Sequence, residues 1–407
     1  MNYQESIKWL YSTQLFGIKL GLENVSRLLD ETGVSSRPDG IKVIHVAGTN
    51  GKGSVCAFAE RILRDAGVVT GLFTSPHLIR FGERIQVSGG MISEEAIAHG
   101  LSSLRELVCE WETHPTFFEL SFVLAMRHFC DSGCEVILLE TGMGGRLDAT
   151  NAVTADVSVI TSIALDHQEW LGDTLREIAG EKAGIIKPNT PVVVADLAPE
   201  ARDVVGRRAL TLRVPCIEAH PLPIEWELGL KGAHQRENAA LAVEAACRVE
   251  GERLTQEGIQ LSLKETYWPG RFEIIQEKIV LDGAHNPEAA AALASTWRET
   301  FSDKAAHLIF GAVELKDIDS ILAALISVAD TITLVPVTSE RSVSLEVMRE
   351  AMDRVGGQFE VNEVDCLETA LEAALGRDGM SLVAGSLFLV GEARGLLMDD
   401  PFEVSLQ

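Results

Sequence analysis

The chain has 407 residues, 46% of them apolar and 23% charged, which is enough for two or three domains at roughly 150 residues each and too apolar for a disordered chain. Sixty acidic residues against 35 basic ones give a net charge of −25, which excludes a general nucleic-acid or anionic-membrane surface because such partners are repelled. No signal peptide and no apolar stretch of the ~20 residues that a spanning helix needs is read from the pattern. The seven scattered cysteines fit reduced thiols in a cytoplasmic protein better than a disulfide framework. Cys130 and Cys134 form the only close pair, without the further ligands that tetrahedral zinc requires.

Strand-length apolar runs alternate with helical patterns, which predicts an α/β fold with a mainly parallel, helix-covered sheet. IKVIHVAG reads as the first buried strand. From Ser54 the apolar positions Val55, Phe58, Ala59, Ile62, Leu63 and Ala66 keep helical spacing, with Gly67 as the stop. Further strands are expected at VVTGLFT, EVILLETG, VSVITSI and PVVVAD. Pro269 and Gly270 then interrupt the pattern and predict a linker, so the domains are expected at 1–268 and 269–407. The second part reads KIVLD, a helix from about Pro287, HLIFGAV, a helix, TITLVPV, a helix, and SLVAGSLFLV before a last helix.

Chemistry in such a sheet belongs where loops leave the carboxyl ends of strands. Gly48-Thr49-Asn50-Gly51-Lys52-Gly53-Ser54 lies between a strand and a helix. Its glycines let backbone N–H groups face a polyphosphate, the helix N-terminus favours anions, and Lys52 supplies a cation. The spacing is shorter than the usual G-x-x-x-x-G-K-[ST], and a plain tight turn is the alternative. Thr74-Ser75-Pro76-His77, Glu140-Thr141-Gly142 and Leu165-Asp166-His167 follow three other strands and offer oxygen or imidazole donors. Together, beside a phosphate loop, they point to a magnesium–nucleotide site; singly, His167 reads as a loop histidine and Glu140 as a helix cap.

HVAGTNGKGSV, TSPHL, FFE, ETGMGGRLDATN, TSIALDH, EKAGIIK, GAHQRENA, WPGRFE, LDGAHNPEA and GSLFLVGEAR occur in that order over essentially the whole chain. This series closely resembles the folylpolyglutamate and dihydrofolate synthases, which with the Mur peptidoglycan enzymes are ATP-dependent amide ligases. The resemblance implies a P-loop ATPase domain followed by a smaller Rossmann-like C-terminal domain. It implies that L-glutamate is joined to dihydropteroate or to a reduced folate through an acyl phosphate, with release of ADP and phosphate. ATP is then a co-substrate, two Mg²⁺ ions assist, and the resemblance leaves room for a monovalent cation.

Carried over residue by residue, the resemblance implies that Thr49, Asn50, Gly51, Lys52, Gly53 and Ser54 wrap the phosphates, with Asn238, Arg271 and Asp282 as further ATP contacts. Ser75 and Glu140 are implied to hold one Mg²⁺. His167 and Lys182 are implied to hold the second, Lys182 as a CO₂-derived carbamate, since a free ammonium would be repelled there. Lys52, Lys182 and His167 are the implied catalytic set. The pterin substrate is implied to meet Leu20, Gly21, Leu22 and Glu23, then Thr116, Phe117, Phe118 and Glu119, and finally Leu147, Asp148 and Ala149, with Arg146 as a fork for a carboxylate. The structural alternatives are that Phe117 and Phe118 divide between core and surface, Arg271 is a linker salt bridge, Asn238 a helix cap and Lys182 an exposed helix lysine. Phe388 stands where a tyrosine is common, and Lys316-Asp317 lack the usual preceding acid. A Mur enzyme of cell-wall precursors and a non-catalytic ATP-binding regulator are the competing readings. A monomer is expected by family analogy.

Overall fold

The computed structural model describes residues 1–16, 21–302, 304–314, 316–357 and 359–400. The chain divides into two compact units, the first comprising Met1–Pro76, Gly82–Gly229 and Gln235–Thr266, the second His77–Phe81, Leu230–His234 and the chain from Tyr267 onward. The segments at 77–81 and 230–234 join the second unit without any compositional break to announce them.

The first unit contains β1 (Lys42–Ala47), β2 (Thr70–Phe73), β3 (Ile85–Val87), β4 (Gly90–Met91), β5 (Val136–Glu140), β6 (Val157–Ile160), β7 (Val192–Val194) and β8 (Cys216–Glu218). They form one sheet in the order β4-β3-β2-β5-β1-β6-β7-β8, parallel except for the β2–β3–β4 end. Its helices are α1 (Tyr3–Ser12), α2 (Glu23–Glu31), α3 (Lys52–Asp65), α4 (Glu94–Val108), α5 (Phe117–Asp131), α6 (Gln168–Leu171), α7 (Leu175–Ala183), α8 (Pro199–Leu212), α9 (Ala233–Glu250, beginning in the second unit) and α10 (Gln256–Glu265). Central strands buried on both faces read as continuous apolar runs, as VILLE in β5 does. The helix predicted after Ser54 begins two residues earlier, and Val55, Phe58, Ala59, Ile62 and Leu63 are core, while Ala66 caps the end.

Register sets the site. Val46 pairs with Glu140 and Ala47 with Ile160, while Phe73 pairs with Leu139. The carboxyl ends of β1, β2, β5 and β6 are therefore level, and the loops carrying Gly48, Ser75, Thr141 and Thr161 leave the sheet side by side.

The second unit holds β9 (Glu273–Ile275), β10 (Ile279–Leu281), β11 (Ala306–Phe310), β12 (Ala329–Leu334), β13 (Glu360–Glu363) and β14 (Met380–Ala384), ordered β13-β12-β11-β14-β10-β9, with only β9 antiparallel. Helices α11 (Pro287–Phe301), α12 (Ile318–Leu325), α13 (Leu345–Val355), α14 (Leu367–Gly376) and α15 (Leu387–Met398) cover it. Trp297, fully buried, centres one core cluster. The run SLVAGSLFLV differs from the single strand expected: the strand stops at Ala384, Gly385 takes φ +113°, and Ser386 caps α15 by accepting the Phe388 N–H at 3.2 Å. An apolar run alone does not tell a buried strand from a buried helix.

Candidate active site

The loop between β1 and α3 is tied down by the loop after β6. Thr49 N donates to Ser162 O (2.7 Å), Asn50 N to Ser162 Oγ (3.1 Å), and Thr161 Oγ1 to Asn50 O (2.6 Å). A Cβ on Gly48 would lie 1.7 Å from Thr161 Oγ1, so only glycine allows this approach. Gly51 stands at the N-cap of α3 at φ +87° and, being glycine, has no side chain to cap the helix's first N–H groups. Those donors and the helix dipole make an anion site. Lys52 Nζ donates to the carbonyls of Gly48 and Thr49, both at 3.1 Å, which holds the ammonium over the loop. Gly53 and Ser54 are buried in the first turn. Asn238, in the middle of α9 rather than at a cap, abuts the same loop: a Cβ on Gly51 would sit 2.3 Å from its Oδ1. Thr161 and Ser162 were not singled out as site residues from the sequence, although they lie in the TSIALDH motif; short hydroxyls after a buried strand were the available signal.

Beside this loop, the buried Glu140 carboxylate accepts the Ser75 N–H at 3.0 Å. Thr141, 1% exposed, has a hydroxyl without a hydrogen-bond partner. Burial, followed by the charge of Glu140, pushes the Cys56 thiol up against the opposing pull of Lys52, so carboxylate and ammonium both face this part of α3. Lys182 is 3% exposed, which removes the exposed-helix alternative. Burial brings its ammonium down to about 7, Lys52 adds to the fall, and Asp166 and Asp148 oppose it. His167 is exposed at φ +52°, with its backbone N–H donating to Asp166 Oδ1 at 2.9 Å. Lys52, Glu140, Asp148, Asp166 and Lys182 thus share one electrostatic neighbourhood.

Among the described residues, no three His, Cys, Asp or Glu side chains gather into a ready metal cage. That suits magnesium, which is usually held by one or two carboxylates plus substrate phosphates and keeps several waters. Buried Glu140, the Ser75 hydroxyl and the unpartnered Thr141 oxygen are hard donors of that kind, so the residues present fit the ion.

Thr116 and Glu119 form a capping box that starts α5. Glu119 Oε2 accepts from Thr116 N (2.7 Å) and Thr116 Oγ1 (2.8 Å), and Thr116 Oγ1 accepts from Glu119 N (3.3 Å). Phe117 is core, stacked on Tyr11 at 5.4 Å, with the Arg84 guanidinium 5.1 Å from its ring centre. Phe118 is half-buried against Phe73 and closes over Gly142, where a Cβ would lie 2.7 Å from its ring. The two phenylalanines therefore divide between core and surface. Gly21 and Leu22 are half-buried and Glu23, exposed, opens α2; Leu20 lies outside the described residues.

The GGRLDATN segment spends its polar groups internally. Asp148 Oδ2 accepts from Gly142 N and Met143 N, both at 2.9 Å, and Oδ1 from Thr150 N (3.1 Å) and Thr150 Oγ1 (2.5 Å). Arg146, exposed, donates to Glu181 Oε1 at 2.9 and 3.1 Å, so its fork is on α7. Asn151 Nδ2 donates to the carbonyls of Arg146 and Gly184 at 3.0 and 3.2 Å. Leu147 is half-buried and Ala149 buried.

In the second unit, Asp282 bridges two backbone donors, Phe272 N (2.8 Å) and Ala284 N (2.9 Å). Burial raises its carboxyl against the pull of Arg271 and His234. Arg271 Nη1 bonds its neighbour's carbonyl, Gly270 O, at 3.2 Å, and a Cβ on Gly283 would lie 2.4 Å from it. Arg271, Asp282 and His234 form one cluster, the histidine being unforeseen from the sequence. Phe388 is half-buried and Asp317 caps α12.

A parallel sheet with an open, glycine-capped helix at its central strand, and a second α/β unit behind it in the chain, is the frame of a Mur-type ligase. The Mur ligase middle domain matches residues 46–208, and the Mur ligase glutamate ligase domain matches residues 270–387. The dihydrofolate synthase/folylpolyglutamate synthase of Bacillus subtilis is 33% identical over 96% of this chain and 98% of its own length. That of Escherichia coli is 34% identical over 92% and 90%. Among solved structures, E. coli FolC in complex with DHPP and ADP superposes with TM-score 0.85 at 31% identity, covering 97% of this chain and 98% of that one. Mycobacterium tuberculosis folylpolyglutamate synthase complexed with ADP superposes with TM-score 0.87 at 28% identity, covering 98% and 100%. The chain belongs to the dihydrofolate synthase/folylpolyglutamate synthase family, ATP-dependent ligases of the Mur type.

Proposed function

We propose that this protein joins L-glutamate to the carboxylate of dihydropteroate, of a reduced folate, or of both, with ATP converted to ADP and phosphate. The observation that carries the reading is the shared neighbourhood, in one unit, of the glycine-started α3 N-terminus with Lys52, the buried Glu140 and the buried Lys182.

A carboxylate is a poor acyl donor, so it first takes the γ-phosphoryl group, and the glutamate amine then displaces phosphate from the acyl phosphate. Negative charge on the transferring group is met by the α3 N–H groups and Lys52. Residues 49–54 cradle the phosphates, with Asn238 against the loop and Arg271 and Asp282 as further nucleotide contacts. Ser75 and Glu140 would hold one Mg²⁺, and His167 with carboxylated Lys182 another. Bound there, the ions would neutralise phosphate charge. Carboxylation needs the neutral amine, which attacks CO₂ and releases a proton. An ammonium brought down to about 7 supplies a substantial neutral fraction at neutral pH. The pterin wall is assigned to Gly21, Leu22 and Glu23, the exposed side of Phe118, and Leu147–Ala149. Thr116, Phe117, Glu119 and Arg146 support it through the contacts they make in the fold. Free thiols at all seven cysteines support a cytosolic site of action, and no helix among the described residues is long and apolar enough to cross a membrane.

The test is to incubate purified protein with ATP, L-glutamate and either dihydropteroate or tetrahydrofolate, and to weigh the products. A mass gain of one glutamyl residue, with ADP formed in proportion, is expected for at least one acceptor. No product from either would overturn the reading.

A further inference from the structure

Three groups outside the proposed chemistry, two buried and one half-buried, meet on the 148–153 segment. His45, in the middle of β1 and 1% exposed, approaches Thr150 Oγ1 with Nε2 at 2.8 Å, while its Nδ1 has no hydrogen-bond partner. Thr150 is fully buried and its hydroxyl lies 2.5 Å from Asp148 Oδ1. Lys187 Nζ donates to the carbonyls of Asn151 (2.6 Å) and Val153 (2.8 Å).

Counting protons assigns the directions. Thr150 has one hydroxyl proton, and a carboxylate only accepts, so that proton goes to Asp148. The Thr150 oxygen must then accept from His45, which fixes the imidazole as the neutral Nε2–H tautomer with Nδ1 bare. A second proton on Nδ1 would be a buried donor without an acceptor, close to the Lys187 ammonium. Asp148 passes the constraint on through its other oxygen, which holds Gly142 N and Met143 N, the first links of the loop leaving Glu140. With four donors on two oxygens, the carboxylate is at its full acceptor capacity.

We infer that His45 and Thr150 are positioning residues: the relay His45–Thr150–Asp148 locks the 141–148 loop in the conformation that presents Phe118, Gly142 and Leu147 to the pterin acceptor. This rests on the proposed glutamate-ligase reading for the identity of the acceptor. The phosphate loop is tied by Thr161 and Ser162 instead, and Glu140 and Thr141 are held by pairing with β1 ahead of the relay's first bonds at Gly142 and Met143, so the relay governs acceptor binding and leaves nucleotide binding alone.

The experiment compares Thr150→Val, which keeps the shape and removes the hydroxyl, with Thr150→Ser, which keeps the hydroxyl. Losing a charge-assisted bond to a buried carboxylate is expected to raise KM for the pterin acceptor about tenfold, with kcat and KM for ATP within about twofold of wild type. Amide exchange of the 141–148 peptide should quicken in the same variant, and Thr150→Ser should restore both. His45→Gln, whose amide can donate from the Nε2 position, should match wild type where His45→Leu does not; this pair decides the matter if Thr150→Val fails to fold. Unchanged acceptor KM and exchange in Thr150→Val, or a KM for ATP that rises in step with that for the acceptor, would overturn the relay. Exchange needs no substrate, so it judges the relay even if wild type makes no product, a result that would fail the functional reading alone.

Discussion

A methyl group at position 48 has nowhere to go, and that single contact makes the phosphate loop testable without substrate. Gly48→Ala should lower stability by about 1–3 kcal/mol through overpacking against Thr161, measured by denaturant unfolding, whereas Gly180→Ala, with nothing within 4 Å of its Cβ, carries no such contact. A wild-type midpoint in Gly48→Ala would show that the two loops can part freely. Lys182 bears on chemistry instead. Replacing it with alanine should reduce kcat by about 10²–10³-fold, the scale of losing one preorganised electrostatic group, and a small carboxylic acid added to the assay should recover part of it. Full activity in Lys182→Ala would remove the carbamate from the mechanism. The lysine's importance was legible only through the family resemblance, because nothing in EKAGIIK says that α7 turns this residue inward. The inward turn comes from packing: Gly145 and Gly184 let the 141–148 loop lie directly on the end of α7, where a Cβ would come within 2.9 Å of Glu181 O or 2.3 Å of Arg146.

Elements were most legible where both faces of a strand are buried. β1, β5 and β6 fall within the apolar runs that predicted them, since a parallel strand between helix layers is apolar along its length, while β11 and β12 begin one and two residues ahead of theirs, β12 with the exposed Asp330. Strands of two to four residues such as β4, β8 and β13 carry exposed or polar side chains and gave no such signal. The α5 start illustrates two functions sharing one motif. TFFE matches a substrate segment, yet Thr116 and Glu119 are occupied in capping and Phe117 in the core. Thr116→Ala should therefore cost about 1 kcal/mol and Phe117→Ala about 3–5 kcal/mol of stability, both read from unfolding midpoints. Phe118→Ala, which removes a half-buried ring over Gly142, should raise KM for the pterin acceptor with a smaller loss of stability. Equal destabilisation by the two phenylalanine variants would contradict this division.

Across the whole molecule, a surplus of negative charge coexists with substrates that are all anions, so attraction has to be local, at α3, Lys52 and the proposed ions. Acid affects the fold through the buried imidazole of His45, which burial, with Lys187 assisting, brings down from 6.5 to about 3. Unfolded chains take up that proton first. Its stabilisation is thus complete above pH 6.5 and is lost progressively as pH falls towards 3. Wild type should lose stability relative to His45→Gln as pH falls through that window, and a difference constant from pH 7 to 4 would exclude the imidazole as a source of acid sensitivity. The ends of the two sheets have a consequence for solubility. Among the described residues, each sheet finishes on a strand of two to four residues, β4, β8, β9 and β13, and β13 presents Glu360 and Glu363 to solvent. Short, charged borders give a neighbouring chain little backbone on which to zip, so the protein should stay dispersed when crowded. Exchanging Glu360 and Glu363 for valine is the substitution expected to make it clump, an effect that light scattering would register before any loss of turnover.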